Sequence, residues 1–439
     1  MKLGILGAGL AGLTLANHLK FDHEILEKNP EVGGLCRSMT ERGWTFDTGG
    51  SHIIFSRDEK IMDYMLSLLG SNVVRNRRHT KIFIKGRFVK YPLENGLSDL
   101  PIEDNFNCIY HYVDARLKEE RGELKEPRTF KQWLYNNFGK GMADIYLVPY
   151  NEKIWRRSCD EMGVDWVGGR VPHPPMEDII KSSLGIETEG YTHQLHFYYP
   201  RTGGIQSLVS ALEKNVKLRI EKSVKITKIS RKGIKWAVEC ADATRTYDRL
   251  VSTIPLMDIV NLLDDVPANV RKAIAGLKYT SLVEVMLGLD GPLEKNISWL
   301  YIPSYSDARF NRVSFPSYFS PKTTPPGCSS ILIESTCNEG DEVWRKPDSK
   351  LIDETVRDLK KMTVVGESQK VRFAKVARAK YAYVVFDLDY AKKMKVIRDY
   401  FAKAGIELCG RFSEFKYLNM DATMASALKM AKTLNKKGG

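Results

Sequence analysis

No run of about eighteen apolar residues occurs in this chain, so a helical transmembrane segment is not expected. The seven cysteines, Cys36, Cys108, Cys159, Cys240, Cys328, Cys337 and Cys409, form no C-x-x-C pair and have no His-rich neighbour at zinc-ligand spacing. A metal site is therefore not expected, and scattered thiols suit a reducing compartment better than a disulfide framework. The 67 Lys and Arg residues form no long block or Arg-Gly run, which argues against a nucleic-acid partner. The opening MKLGILGAG enters a strand without a charged n-region or cleavage site, and a cytoplasmic location is expected. Internal repeats and low-complexity tracts are also missing. Nothing in the sequence fixes the oligomeric state.

What is present is the composition of a folded protein, 43% hydrophobic and 28% charged, over 439 residues. That length allows a large core and more than one structural unit. The formal charge of +13 favours anionic ligands without choosing among them. Residues 2 to 7, 10 to 20 and 23 to 27 read as strand, helix and strand, a βαβ unit with a right-handed crossover. Residues 81 to 90 read as a hairpin turning at Lys85 and Gly86. Helical periodicity dominates from about 95 to 190, notably at 105 to 120 and 129 to 148. Strand-like runs return at 216 to 240, 249 to 255, 281 to 289 and 331 to 336. A strand at 405 to 409 and an amphipathic helix at 421 to 435 follow.

Between the first strand and helix stand Gly7, Gly9 and Gly12, the three positions of G-x-G-x-x-G. The first permits the tight turn, the second a close approach to a pyrophosphate, and the third close packing of helix on strand. The helix N-terminus then faces the phosphates. Glu27 ends the next strand, where a carboxylate can accept hydrogen bonds from a ribose. These features fit NAD or FAD. Gly33, Gly34 and Leu35 follow closely and give a second near approach of backbone to cofactor, as in flavoproteins of the glutathione-reductase type, which favours FAD. The expected fold class is α/β. It comprises a discontinuous Rossmann-like FAD-binding domain (1–75 with 200–260 and 395–439), a mainly helical insertion (95–195) and an antiparallel-sheet substrate domain (76–94 with 261–394).

Further blocks resemble the UDP-galactopyranose mutase family, which shares its fold with amine oxidases and protoporphyrinogen oxidases. Ser51-His52-Ile53-Ile54-Phe55-Ser56 is similar to the family's G-G-H-V-I-F-S, with one serine inserted before His52. The segment from Tyr150-Asn151 to Trp155 resembles Y-N-x-K-x-W, and Arg170 follows at the family's spacing. Trp299-Leu300-Tyr301 followed by Arg312 looks like the W-L-Y-x-P block and its second arginine. Gly410-Arg411, Tyr417, Met420 and Asp421 resemble the C-terminal signature. Singly, each residue has a plain structural reading: a core aromatic, a solvated arginine, a buried imidazole. Their joint order carries the resemblance.

The resemblance implies a reduced-FAD enzyme, with NAD(P)H as a possible reductant contacted by Arg78 and Thr80. It would interconvert pyranose and furanose forms of a nucleotide sugar through a flavin–sugar adduct, with no net redox. Arg170 and Arg312 would clamp the diphosphate, since planar guanidinium forks bind it bidentately. His52 would lie beside the flavin, and Gly410, Arg411, Met420 and Asp421 would complete its site. Glu94, Asn95, Tyr146, Tyr150, Asn151, Trp155, Tyr301, Tyr383 and Tyr417 would contact the substrate. Glu94 stands where the family's eukaryotic type has a uracil-binding glutamine, so a base richer in donors is conceivable. The alternative is an amine-oxidase or protoporphyrinogen-oxidase-like oxidoreductase working by hydride transfer.

Overall fold

The computed structural model describes residues 2–168, 175–188 and 195–437. Its first strand, Leu3–Leu6, lies at the centre of a five-stranded, all-parallel sheet in the order 406–408, 249–252, 3–6, 23–26, 220–221. Strands from widely separated parts of the chain thus build one sheet. Alternate residues of a strand point to opposite faces, and here both faces are covered, as parallel sheets require. Leu3, Ile5, Ile25 and Val251 pack with the helices Leu10–His18, Gln206–Asn215 and Met420–Lys437. Leu6, Leu26, Leu250 and Ile406 pack on the other side with the helices Leu256–Leu262, Ala268–Ala275 and Tyr390–Ala404. That side also receives a three-stranded antiparallel sheet, 226–232, 235–240 and 244–247.

A second large sheet has seven strands in the order 371–385, 278–290, 328–337, 312–314, 299–301, 80–84, 87–90. Every neighbouring pair is antiparallel except Trp299–Tyr301 against Thr80–Ile84, which run parallel. The expected hairpin is present, with Lys85 and Gly86 both at positive φ (50° and 78°) between Ile84 and Arg87. Two central residues at positive φ make the turn whose twist matches the flanking strands. The helices Ile102–Glu120 and Phe130–Met142 pack with Ile82, Ile84 and Val89 at the hairpin end of this sheet.

The expected helix over 129 to 148 is not continuous. Gly139 takes non-helical angles (φ 70°, ψ 161°), and a π-helical turn, Ala143–Leu147, precedes the helix Val148–Trp155. A Cβ at Gly139 would lie 2.3 Å from the His111 carbonyl oxygen, so the break sits where two helices cross closely. The π turn resets the phase of the chain just where Tyr146 and Tyr150 are presented. The long strand Val371–Val385 was not expected from its sequence. Lys and Arg interrupt its apolar residues, as suits an edge strand whose exposed face must resist pairing.

Candidate functional site

The glycine turn is closed by contacts that exclude any side chain. A Cβ on Gly12 would lie 2.1 Å from the Gly7 carbonyl oxygen, and Gly7 itself has φ +105°. The Gly33 N–H donates to the Ala8 carbonyl (2.8 Å), and Gly9 and Gly33 form a parallel bridge that lays the second glycine segment against the first. Gly34 stays exposed and Leu35 half-buried along this cradle. Glu27 is buried. One of its oxygens accepts from the Ala8 N–H (2.8 Å), the other from the backbone and side-chain N–H groups of Asn29 (both 2.9 Å). The carboxylate therefore braces the turn, with lone pairs left for a ligand hydroxyl. A narrow groove of exposed backbone at a helix start, with a carboxylate at the next strand end, fits the pyrophosphate and ribose of a dinucleotide.

The C-terminal block meets this cradle. Gly410 (φ +97°) turns against the first helix, where a Cβ would be 2.8 Å from that of Ala11. Met420 and Asp421 open the last helix, and Asp421 accepts from the Ser56 hydroxyl (3.1 Å). Arg411 donates to the carbonyls of Leu418 (3.0 Å) and Ala382 (2.8 Å), lies over the rings of Tyr417 and Tyr383, and leaves its buried Nε without a partner.

The loop carrying His52 is anchored by three carboxylates, two of them distant in sequence. The Gly50 N–H donates to Glu284 (2.7 Å), the Ser51 N–H to Glu334 (2.9 Å), and the His52 N–H to Asp47 (3.3 Å). The inserted Ser51 is thus built into the loop, and its hydroxyl also accepts from the Trp299 indole (3.3 Å). Asp47 further accepts from Ser38, Tyr199 and the Ile205 N–H. Burial pushes its carboxyl up to about 6 against the pull of these donors. Burial, then the positive fields of Arg312 and Arg411, push the His52 imidazole down to about 4, so it is neutral at pH 7. Its Nδ1 is buried and has no partner among the described residues. A neutral ring with an orphaned nitrogen fits a position beside a planar heteroaromatic group.

Arg312 donates from Nε and Nη2 to Glu334 (2.8 and 2.7 Å), a bidentate pair in which Glu334 is fully buried. Burial opposes the arginine's charge, but Glu334 and the phenols of Tyr383, Tyr301 and Tyr150 hold it strongly. Those phenols belong to one aromatic chamber. Tyr150 stacks on Tyr146 and tilts against Tyr301, which meets Tyr91 edge-on. Tyr383 stacks with Tyr417, and Trp155 meets both edge-on. Asn151 accepts from the Trp155 indole (2.9 Å) and donates to the Leu147 carbonyl, so it orients the tryptophan. Glu94 and Asn95 are buried in the short helical turn Leu93–Asn95, and Asn95 donates to Thr188. Arg170 lies outside the described residues.

The structure thus gathers His52, Arg312, Tyr146, Tyr150, Trp155, Tyr301, Tyr383, Arg411 and Tyr417 into one connected cluster. Arg78 joins them: it donates to the Tyr301 hydroxyl (3.1 Å) and to Thr80, and sits over Tyr91 and Trp299. Asp47, Glu284 and Glu334 were not anticipated. A signal existed, since Glu284 and Glu334 are single acids inside the apolar runs SLVEVMLGL and ILIESTC. Among the described residues, no three His, Cys, Asp or Glu side chains converge as metal ligands, and no helix is long and apolar enough to cross a membrane.

The fold is similar to those of known structures. A crystal structure of reduced UDP-galactopyranose mutase superposes with a TM-score of 0.90 over 99% of this chain and 96% of its own, at 23% identity. A putrescine oxidase triple mutant gives 0.70 over 99% of both chains at 12% identity. A fatty acid isomerase from P. acnes gives 0.67 over 98% of both at 16% identity. At such identities these likenesses speak for the fold alone. An uncharacterized protein of Methanocaldococcus jannaschii is 35% identical over 75 residues, 17% of this chain; the match spans only 19% of that relative's length. The family described as flavin containing amine oxidoreductase matches residues 10–433, nearly the whole sequence. The chain belongs to that family, with the mixed α/β architecture of its FAD-binding members.

Proposed function

We propose that this protein is a flavin-dependent nucleotide-sugar mutase, interconverting pyranose and furanose forms of a UDP-galactose-like substrate with no net redox change. The observation that carries this reading is Arg312, a half-buried guanidinium fixed from behind by Glu334 and faced by Tyr150, Tyr301 and Tyr383. A diphosphate offers adjacent anionic oxygens to such a fork and to phenolic donors. A protonated amine would instead meet three cations, Arg312, Arg78 and Arg411.

In this reading the glycines at 7, 9, 12, 33 and 34, with Leu35 and Glu27, hold the adenosine half of FAD. Gly410, Arg411, Met420 and Asp421 lie toward the other half, with His52 at the ring. Bound and reduced, FAD supplies a nucleophilic ring nitrogen and is regenerated unchanged; NAD(P)H is the proposed reductant. Arg312 holds the diphosphate near attack distance and retains the departing nucleotide for the return step. Arg170 is the proposed second arm of the clamp. The rings of Tyr146, Tyr150, Trp155, Tyr301, Tyr383 and Tyr417 wall the chamber from water, and neutral His52 presents its Nδ1 without adding charge. Glu94 and Asn95 form the proposed base contact, where a carboxylate favours a base with donors on its edge.

A cytoplasmic setting agrees with this chemistry. The second reading, an oxidoreductase working by hydride transfer, rests on the family match, whose members include amine oxidoreductases. Incubating dithionite-reduced protein with UDP-galactofuranose and other nucleotide sugars separates the two. Ring-form interconversion is expected; its absence with every nucleotide sugar, alongside oxidation of an amine, reverses the ranking.

A further inference from the structure

Strand register places four side chains in one transverse row of the seven-stranded sheet. Glu284 pairs with Glu334, Glu334 with Arg312, and Arg312 with Tyr301. Directly paired residues share a face, so the row lies on the side that anchors residues 50 to 52. Both carboxylates are fully buried, and among the described residues one guanidinium, that of Arg312, pairs with Glu334. Two ionised carboxylates would leave a net negative charge away from water, whereas one proton makes the row neutral.

Hydrogen bonding shows where that proton sits. Glu334 accepts from Arg312 Nε, Arg312 Nη2 and the Ser51 N–H, a donor set that calls for an ionised carboxylate. Among the described residues, Glu284 accepts only from the Gly50 N–H through Oε1, and its buried Oε2 has no partner. We propose that Glu284 is kept as a neutral carboxylic acid and that its proton controls how strongly Arg312 binds an anion. Loss of the proton would put a second negative charge behind the guanidinium and loosen its hold on the ligand. The inference rests on the reading, made above, that Arg312 faces an anionic substrate.

The groups facing Glu284 support the direction. Burial and then the charge of Glu334 raise its carboxyl well above the ordinary range, with Asp47 adding to them. The Gly50 N–H and Arg312 oppose, and the remaining neighbouring strand presents only Ala377. A carboxyl raised in this way gives up its proton as pH climbs, so anion affinity should fall on the alkaline side.

The test is calorimetric titration of the FAD-loaded protein with inorganic pyrophosphate, from about pH 6 to about pH 10. Wild type is compared with Glu284→Gln, which keeps the shape of the neutral acid. Titration of the probe itself is common to both proteins. Wild type should lose about tenfold in affinity relative to Glu284→Gln at the alkaline end. An infrared carboxylic-acid band, present in wild type at pH 7 and absent from Glu284→Gln, should fade over the same pH range. That fading checks the idea even if the variant folds poorly. Coincident affinity profiles, a missing band or no pyrophosphate binding overturns it. If pyrophosphate binding is proton-linked but no nucleotide sugar is converted, the mutase reading falls and this inference stands.

Discussion

The glycine turn and the carboxylate row differ in how far apart their parts lie along the chain. Gly7, Gly9, Gly12 and Glu27 fall within one strand–helix–strand unit, and their contacts with one another are local in sequence. The row joins residues 284, 312 and 334 to a loop at 50 to 52, and only sheet register brings them together. The turn works by having no side chains. The row works by burying charged ones, so its integrity depends on every partner being present.

That contrast can be broken by substitution. Arg312→Ala strips Glu334 of its cation and should cost about 3–5 kcal/mol in urea unfolding, whereas replacing both Arg312 and Glu334 by leucine should cost less. A double variant no more stable than Arg312→Ala would mean the pair is not energetically linked. Gly12→Ala sets a Cβ 2.1 Å from the Gly7 oxygen and should cost about 1–3 kcal/mol, together with flavin content in the purified protein. Undiminished flavin would show that the turn can relax. Asp47→Ala removes a buried acceptor shared by four donors and should cost about 1–3 kcal/mol.

His52 sharpens the comparison through pH. Its folded-state value, about 4, lies below the ordinary 6.5. The stability it contributes is therefore present above about pH 6.5 and is lost as pH falls through about 4. His52→Gln should flatten thermal stability across that acid window; an unchanged slope would locate the acid sensitivity elsewhere. The smallest effect is expected at the exposed pair of Lys375 with Glu41, where Lys375→Ala should leave the urea midpoint unchanged; a clear shift would show that surface pairs contribute too.

The same contrast explains what was legible. The turn, the first helix and the Lys85-Gly86 hairpin could be read directly, because spacing and turn chemistry are local signals. The chamber's aromatic residues were reachable by resemblance, which orders blocks along the chain. Local reading failed where tertiary packing decides. The strand at 371–385 hides its pattern behind edge lysines and arginines, and the π turn at 143–147 answers a close helix crossing at Gly139. Glu284 stands alone among apolar residues in its strand, and only register shows Glu334 opposite it. The ligands of Asp47 come from positions 38, 52, 199 and 205, and no spacing rule links them.

The central claim is that the chamber receives a diphosphate against the fork of Arg312. The most direct measurement is UDP affinity of the FAD-loaded protein, wild type against Arg312→Lys, which keeps the charge facing Glu334 and loses the planar fork. A loss of about tenfold or more is expected, the scale of a bidentate charge-assisted contact. Equal affinity in the two proteins, or no UDP binding to wild type, would contradict it.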